Sequence, residues 1–258
     1  MAAADYDDRG SGAPLVLLHP FPFSRYIWAG LADELTARRR VITVDARGFG
    51  GAPLDGGRYA LTDVADNLAA LLDRLNIPRA TLLGMSMGGY TALAFAARHG
   101  KRLAALILAD TRAAADTAEA RAGRAAAIEL IRRDGPGAYL ASSLPRLLSP
   151  GAPPALVAHL RARAETRAAS LVAGIEALRD RPDRSGELAA IACPVLVVCG
   201  DGDQVTPPDE MKQVAAAIPG ARFASVAGAG HIAHVEAPGA FGRALAGFFD
   251  DLDRTRAG

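Results

Sequence analysis

Ser86 is the residue around which nucleophilic chemistry could be built. It lies in Gly84-Met85-Ser86-Met87-Gly88-Gly89, with an apolar run at residues 80–83 before it and a helix-like pattern over 90–99 after it. The serine therefore falls on a sharp strand-to-helix turn. Such a turn strains the serine backbone and lifts its Oγ clear of the strand. Gly84 and Gly88 remove the Cβ atoms that would block the close approach of neighbouring segments. The helix that follows directs its free N–H groups and positive dipole end at the serine. A glycine-rich turn with a bystander serine would look the same, so catalysis further requires a base, an acid and oxyanion donors from elsewhere in the chain.

Five histidines are candidates for the base. His99 ends the helix after Ser86, far from the catalytic face, and His159 lies in a helical stretch. His19 sits in the loop His19-Pro20-Phe21-Pro22-Phe23-Ser24. His231 follows the last apolar strand on Gly228-Ala229-Gly230, where a base belongs; His234, three residues on, is expected to pack beside it. For the acid, Asp203 follows the apolar stretch 194–199 within Gly200-Asp201-Gly202-Asp203-Gln204-Val205-Thr206-Pro207. Asp201 and Asp110 are alternatives. Asp110 is otherwise expected to pin the entrance of the segment after it, through the backbone or Arg112. One oxyanion donor would be the N–H of Met87. In the His19 loop neither Pro20 nor Pro22 can donate, which leaves the N–H of Phe21. Asp45 and Arg47 are expected to tie their loop by an ion pair, and Trp28 to pack a helix.

These residues need strands to carry them. Apolar runs at 15–18, 41–44, 103–109, 195–199 and 221–226, with 80–83, read as strands, and residues 3–9 as a short first one. Helical patterns cover 25–38, 62–75, 87–98, 208–217 and 240–252. Strand and helix in alternation predict an α/β fold, a parallel sheet covered by helices on both faces. Ligands bind such sheets at the carboxyl ends of the strands, where the chemical candidates cluster. Residues 112–184 break the alternation: they are helical without strand signals and are punctuated by prolines. Three or four helices are expected there, inserted over the active-site face as a lid. The expected division is a core of residues 1–111 and 185–258 and a cap of 112–184.

Composition excludes several alternatives. The 258 residues are half hydrophobic and carry a formal net charge of +1, which gives no electrostatic case for nucleic acid or an anionic membrane. The start, Met1-Ala2-Ala3-Ala4-Asp5, lacks the pattern of a secretory signal. No apolar run approaches the ~18–20 residues that span a bilayer. Cys193 and Cys199 flank one strand, roughly 20 Å apart and beyond disulfide reach, and read as thiols of a cytoplasmic protein. No metal-ligand set, dinucleotide fingerprint or phosphate-loop lysine is present, so no cofactor is expected.

The elbow Gly84–Gly89, the turn Gly200–Pro207 and the segment Gly228-Ala229-Gly230-His231-Ile232-Ala233-His234-Val235-Glu236-Ala237-Pro238 together resemble the α/β-hydrolase superfamily, over residues 3–252. Within it the chain is most similar to small bacterial 3-oxoadipate enol-lactonases and cofactor-free haloperoxidases (perhydrolases). The resemblance implies the α/β-hydrolase fold: a mostly parallel sheet of about seven or eight strands with an inserted helical lid. It also implies catalytic roles for Ser86, Asp203 and His231, with Phe21 and Met87 as oxyanion donors. The chain departs from the family at His19-Pro20, where His-Gly is usual, and in a start too short for the usual first antiparallel strand. The expected activity is hydrolysis of a small carboxylic ester or lactone through an acyl-serine. Perhydrolysis, carbon–carbon bond hydrolysis or lyase chemistry with the same triad, and a non-turnover small-molecule receptor, are the alternatives. The expected partner is a small-molecule substrate, and the sequence leaves the oligomeric state unread.

Overall fold

The structure is a computed structural model that describes residues 5–257. The beginning of the expected first strand and the residues 1–4 read for a leader lie outside these, as does Gly258. Seven strands form one sheet in the order β1-β3-β2-β4-β5-β6-β7: β1 Tyr6–Arg9, β2 Pro14–Leu18, β3 Arg40–Val44, β4 Ala80–Met85, β5 Leu103–Ala109, β6 Val195–Gly200 and β7 Arg222–Val226. β1 pairs antiparallel with β3, and every other pairing is parallel. Among the described residues the antiparallel strand β1 is four residues long.

The period-2 alternation of the strands divides the core between the two faces of the sheet. Leu15, Leu17, Leu83, Met85, Ile107, Leu196 and Val198 point to one face. There they meet helix α1 (Ala29–Leu35), the buried Trp28 and the long helix α10 (Pro238–Ala257). Val16, Leu18, Leu82, Leu106, Leu108, Val195 and Val197 point to the other. They meet α2 (Leu61–Arg74), α3 (Met87–His99) and α8 (Pro208–Ala217). Because both faces are covered, β2, β4, β5 and β6 are almost wholly apolar, whereas the edge strands β1 and β7 carry charge.

Between β5 and β6 the chain forms four α-helices: α4 Ala118–Asp134, α5 Pro136–Ser143, α6 Pro154–Arg161 and α7 Ala168–Arg179. Local chemistry sets their limits. Thr117 caps α4 by accepting the Ala120 N–H at 3.2 Å, and α4 stops at Gly135, whose φ is 83°. Pro136 then begins α5 and Pro154 begins α6, at positions where a missing N–H costs nothing. Ile128, Ile131, Leu171, Ile175 and Leu178 of these helices share a third apolar cluster with Phe21, Phe49, Met87 and Tyr90. The inserted helices are therefore packed onto the residues that border Ser86. Two polar contacts add to this: the Glu165 N–H donates to the Pro22 carbonyl at 2.8 Å, and Arg181 spans the Asp116 carboxylate and the Tyr90 ring, 4.3 Å from its centroid. The short helix α9 (Ala233–Glu236) follows the loop after β7.

Candidate active site

Ser86 stands between β4 and α3 with φ 51° and ψ −113°. Only close-packed surroundings hold a non-glycine residue there, at a cost of about 1–3 kcal/mol. The packing is visible atom by atom. A Cβ on Gly84 would lie 2.3 Å from the Gly88 carbonyl oxygen, and one on Gly88 would lie 2.0 Å from that of Leu18. The strand, turn and helix come together more closely than any side chain allows. The helix begins immediately, with the Tyr90 N–H donating to the Ser86 carbonyl.

His231 Nε2 is 2.8 Å from Ser86 Oγ, and its Nδ1 is 2.8 Å from an Asp203 oxygen. His231 and Asp203 are almost completely buried, while Ser86 keeps 9% of its surface exposed. Asp203 Oδ1 accepts the N–H groups of Val205 and Thr206 at 2.7 and 3.1 Å, and Oδ2 accepts the Thr206 hydroxyl as well as the imidazole. Burial alone would raise the Asp203 carboxyl, but the imidazole and these donors outweigh it and hold the group below its ordinary value. Its charge in turn fixes the tautomer in which Nδ1 carries the proton and Nε2 faces the serine. Of the competing acids, Asp201 turns outward to the Gly228 N–H, and Asp110 accepts the Gly200 N–H rather than approaching the imidazole. Asp110 makes no bond to Arg112, which instead reaches the Val205 carbonyl and Glu210.

Among the described residues, neither the Phe21 nor the Met87 N–H donates to a protein acceptor. Met87 is the first residue of α3, whose opening N–H groups have no partner within the helix. The Phe21 loop is held from three sides. His19 accepts the Ala46 N–H on Nε2 at 3.0 Å and therefore donates from Nδ1 to the Pro20 carbonyl at 3.1 Å. Burial keeps this ring neutral by lowering its proton affinity. The Phe21 ring packs edge-on to Phe49, with Tyr139 of α5 beyond it. The bond from Glu165 to Pro22 closes the third side. His19-Pro20 thus anchors its loop through the histidine.

The remaining histidines lie apart from the serine. His234 is buried between Trp28 and Phe241, donates to the Ile27 carbonyl, and is pushed down to about 4 by burial. His99 pairs with Asp66, and His159 is near Arg163 on α6.

Three contributors escape a reading of the sequence. Thr206 is one; the signal was available, because an aspartate followed two and three residues later by free N–H groups is a common turn. Glu236 is the second: its carboxylate accepts the Gly230 N–H at 2.7 Å and the Ser149 N–H at 2.8 Å, fixing the histidine loop against the inserted segment. The third corrects an expectation. Asp45 pairs with Arg25, not Arg47. Both members are buried, and Arg25 also reaches Asp5 and Asp7 at 2.9 Å, so one guanidinium joins β1, the loop after β2 and the loop after β3. Nothing local to the motif Asp45-Ala46-Arg47 points to a partner twenty residues upstream.

The chain is similar over most of its length to known proteins. A protein of Bacillus subtilis (strain 168) with the provisional name 2-succinyl-6-hydroxy-2,4-cyclohexadiene-1-carboxylate synthase is 32% identical, over 97% of this chain and 95% of its own. The 3-oxoadipate enol-lactonase 2 of Acinetobacter baylyi (strain ATCC 33305 / BD413 / ADP1) is 34% identical over 80% of this chain and 76% of its own. Among solved structures, a thermophilic esterase from Thermogutta terrifontis superposes with a TM-score of 0.92 at 35% identity, covering 96% of this chain and 93% of that one. The profile of the alpha/beta hydrolase fold matches residues 13–238, which include every strand that carries Ser86, Asp203, His231 or Phe21. This chain is a hydrolase enzyme and belongs to the α/β-hydrolase fold family.

Proposed function

We propose that the protein hydrolyses a small carboxylic ester or lactone through an acyl-serine intermediate. The observation that carries this reading is the continuous chain of 2.8 Å contacts from Ser86 Oγ through His231 to Asp203. In this reading Ser86 Oγ attacks the carbonyl carbon while Nε2 takes its proton. The N–H groups of Phe21 and Met87 receive the negative charge that develops on the carbonyl oxygen. Asp203 stabilises the imidazolium without taking its proton. Collapse of the tetrahedral adduct breaks the C–O bond, and Nε2 returns the proton to the departing alkoxide. Water, deprotonated by Nε2, then releases the acid and restores Ser86. The enol-lactonase and esterase relatives support this substrate class. Residues 112–184 act in this reading as a cap that shapes the pocket on the core of 1–111 and 185–258. Among the described residues no helix is long and apolar enough to cross a membrane, and the two free thiols fit a cytoplasmic setting.

Release of p-nitrophenol from short acyl esters tests the reading. The substitution Ser86→Ala is expected to lower kcat by at least ~10⁴-fold with the fold intact. A variant that kept its turnover would overturn it. Lyase chemistry with the same triad is a second reading, kept beside hydrolysis because the Bacillus subtilis relative carries the name of a synthase. A panel of esters, lactones and eliminable 2-succinyl cyclohexenes, with and without peroxide, separates hydrolysis from lyase and perhydrolase chemistry. Tight ligand binding with no turnover of any of them would point to a receptor.

A further inference from the structure

Behind the triad acid lies a second carboxyl group that the proposed reaction does not use. Asp110 follows β5, where its N–H extends the ladder to the Val198 carbonyl at 3.0 Å, and its φ of 43° turns the side chain back across the end of β6. The residue is completely buried. Its Oδ1 accepts the Gly200 N–H at 2.8 Å, while Oδ2 has no donor. Oxygens of Asp110 and Asp203 and the Cys199 sulfur all lie within 4.8 Å of one another.

Two ionised carboxylates cannot share so small a buried volume without a proton or a cation between them. The titratable groups facing Asp110 are Asp203, from the turn after β6, and Cys199, on β6 itself. Neither supplies a positive charge. Arg112, two residues on, directs its guanidinium to the Val205 carbonyl and Glu210. A metal ion bound here would require the Cys199 thiolate, yet burial and the adjacent carboxylates push that thiol up, and its sulfur faces the Gly200 and Thr206 carbonyls. A proton is the remaining bridge.

We propose that Asp110 is a neutral carboxylic acid whose Oδ2–H donates to the Asp203 carboxylate, making Asp110 a positioning residue for the triad. Burial, and then the charge of Asp203, raise the Asp110 carboxyl well above the usual range, which agrees with this assignment. The donated bond leaves one buried negative charge opposite the imidazole. It also adds a further donor to those that Val205 and Thr206 supply to the same carboxylate.

The proposal rests on the triad reading for its kinetic arm alone, so infrared spectroscopy of the folded protein provides a test that does not depend on activity. At pH 7 the wild type should show the carbonyl band of a protonated carboxyl that is missing from D110N. In the kinetic arm, an amide at this position still donates, so D110N should leave the acidic limb of the kcat/KM profile within about 0.3 pH unit of its wild-type position. D110A loses the donor and leaves the Asp203 charge less balanced. Its acidic limb should move up by about half a unit and its kcat/KM should fall about tenfold, the scale of one lost hydrogen bond to a charged group. Absence of the infrared band from the wild type would overturn the proposal. So would a D110N limb displaced downward by about a unit, since that is the response to removing a negative charge. If D110A fails to fold, the wild type and D110N decide the matter alone.

Discussion

Glu236 accepts the backbone N–H of Ser149 at 2.8 Å, from a position five residues beyond His231 and on the opposite side of the sequence from the inserted helices. The same carboxylate accepts the Gly230 N–H, next to the histidine. One side chain therefore fixes the spacing between the His231 loop and the inserted segment. Replacing it with alanine leaves two backbone donors without their acceptor. Each such loss costs about 1–3 kcal/mol where water cannot substitute, and the half-buried position puts E236A toward the low end of that range. The expected fall in Tm is about 2–4 °C per kcal/mol for a chain of this size. Turnover should fall about tenfold with little change in KM, because the imidazole rather than the pocket is displaced. E236Q, which retains one acceptor, should recover part of both losses in the same melting and steady-state assays.

Glycine positions separate geometry from propensity. G88A would drive a Cβ to 2.0 Å from the Leu18 carbonyl oxygen, a backbone atom that cannot move aside. That variant should lose soluble expression or, if it folds, the serine geometry and with it esterase turnover. Gly123, inside α4, has nothing within 4 Å of its would-be Cβ. G123A should raise stability by about 0.5–1 kcal/mol through helix propensity and leave turnover unchanged. Thermal melts and p-nitrophenyl ester assays on both variants check the contrast.

Asp203 carries a prediction about pH. The Asp203 carboxyl is held below its ordinary value in the folded chain. Its contribution to stability is therefore fully present above the unfolded value of about 3.9 and is lost as pH falls through the folded one. Denaturation midpoints of the wild type should drop steeply below about pH 4, and those of D203N less steeply. The same substitution should cost about 10⁴-fold in kcat through the wrong tautomer of His231.

Arg25 and Asp45 are buried together, so removing one partner strands the other. R25A should cost about 3–5 kcal/mol, read as a lowered urea midpoint. R25K should recover little of it, because a point charge cannot serve Asp5, Asp7 and Asp45 from one planar group.

The sheet was legible because its strands are short apolar runs bounded by glycine, proline and aspartate, and because parallel strands covered on both faces leave little room for polar residues. Ser86, Asp203, His231, Phe21 and Met87 could be nominated for the same reason: each lies within a short turn or loop, or at the helix start, that follows a strand. What stayed hidden depends on partners distant in the sequence. Arg25 looked like the first residue of a helix, yet it begins a short 3₁₀ turn and is drawn inward by carboxylates from β1 and β3. Glu236 falls in the segment Gly228–Pro238 that carries the resemblance, but nothing in the sequence names Ser149 as its partner. The inserted helices could be counted from their prolines and glycines, but their docking rests on contacts such as that of Arg181, near the end of the insertion, with Tyr90 of α3, far upstream of it.

The bond from the Glu165 N–H to the Pro22 carbonyl has a practical consequence for redesign. Transplanting residues 112–184 from another member of the family would also replace the strut beneath the Phe21 loop. A graft that ends before Glu165, or that restores a donor at that point, would exchange the inserted helices while leaving the Phe21 loop on its own support.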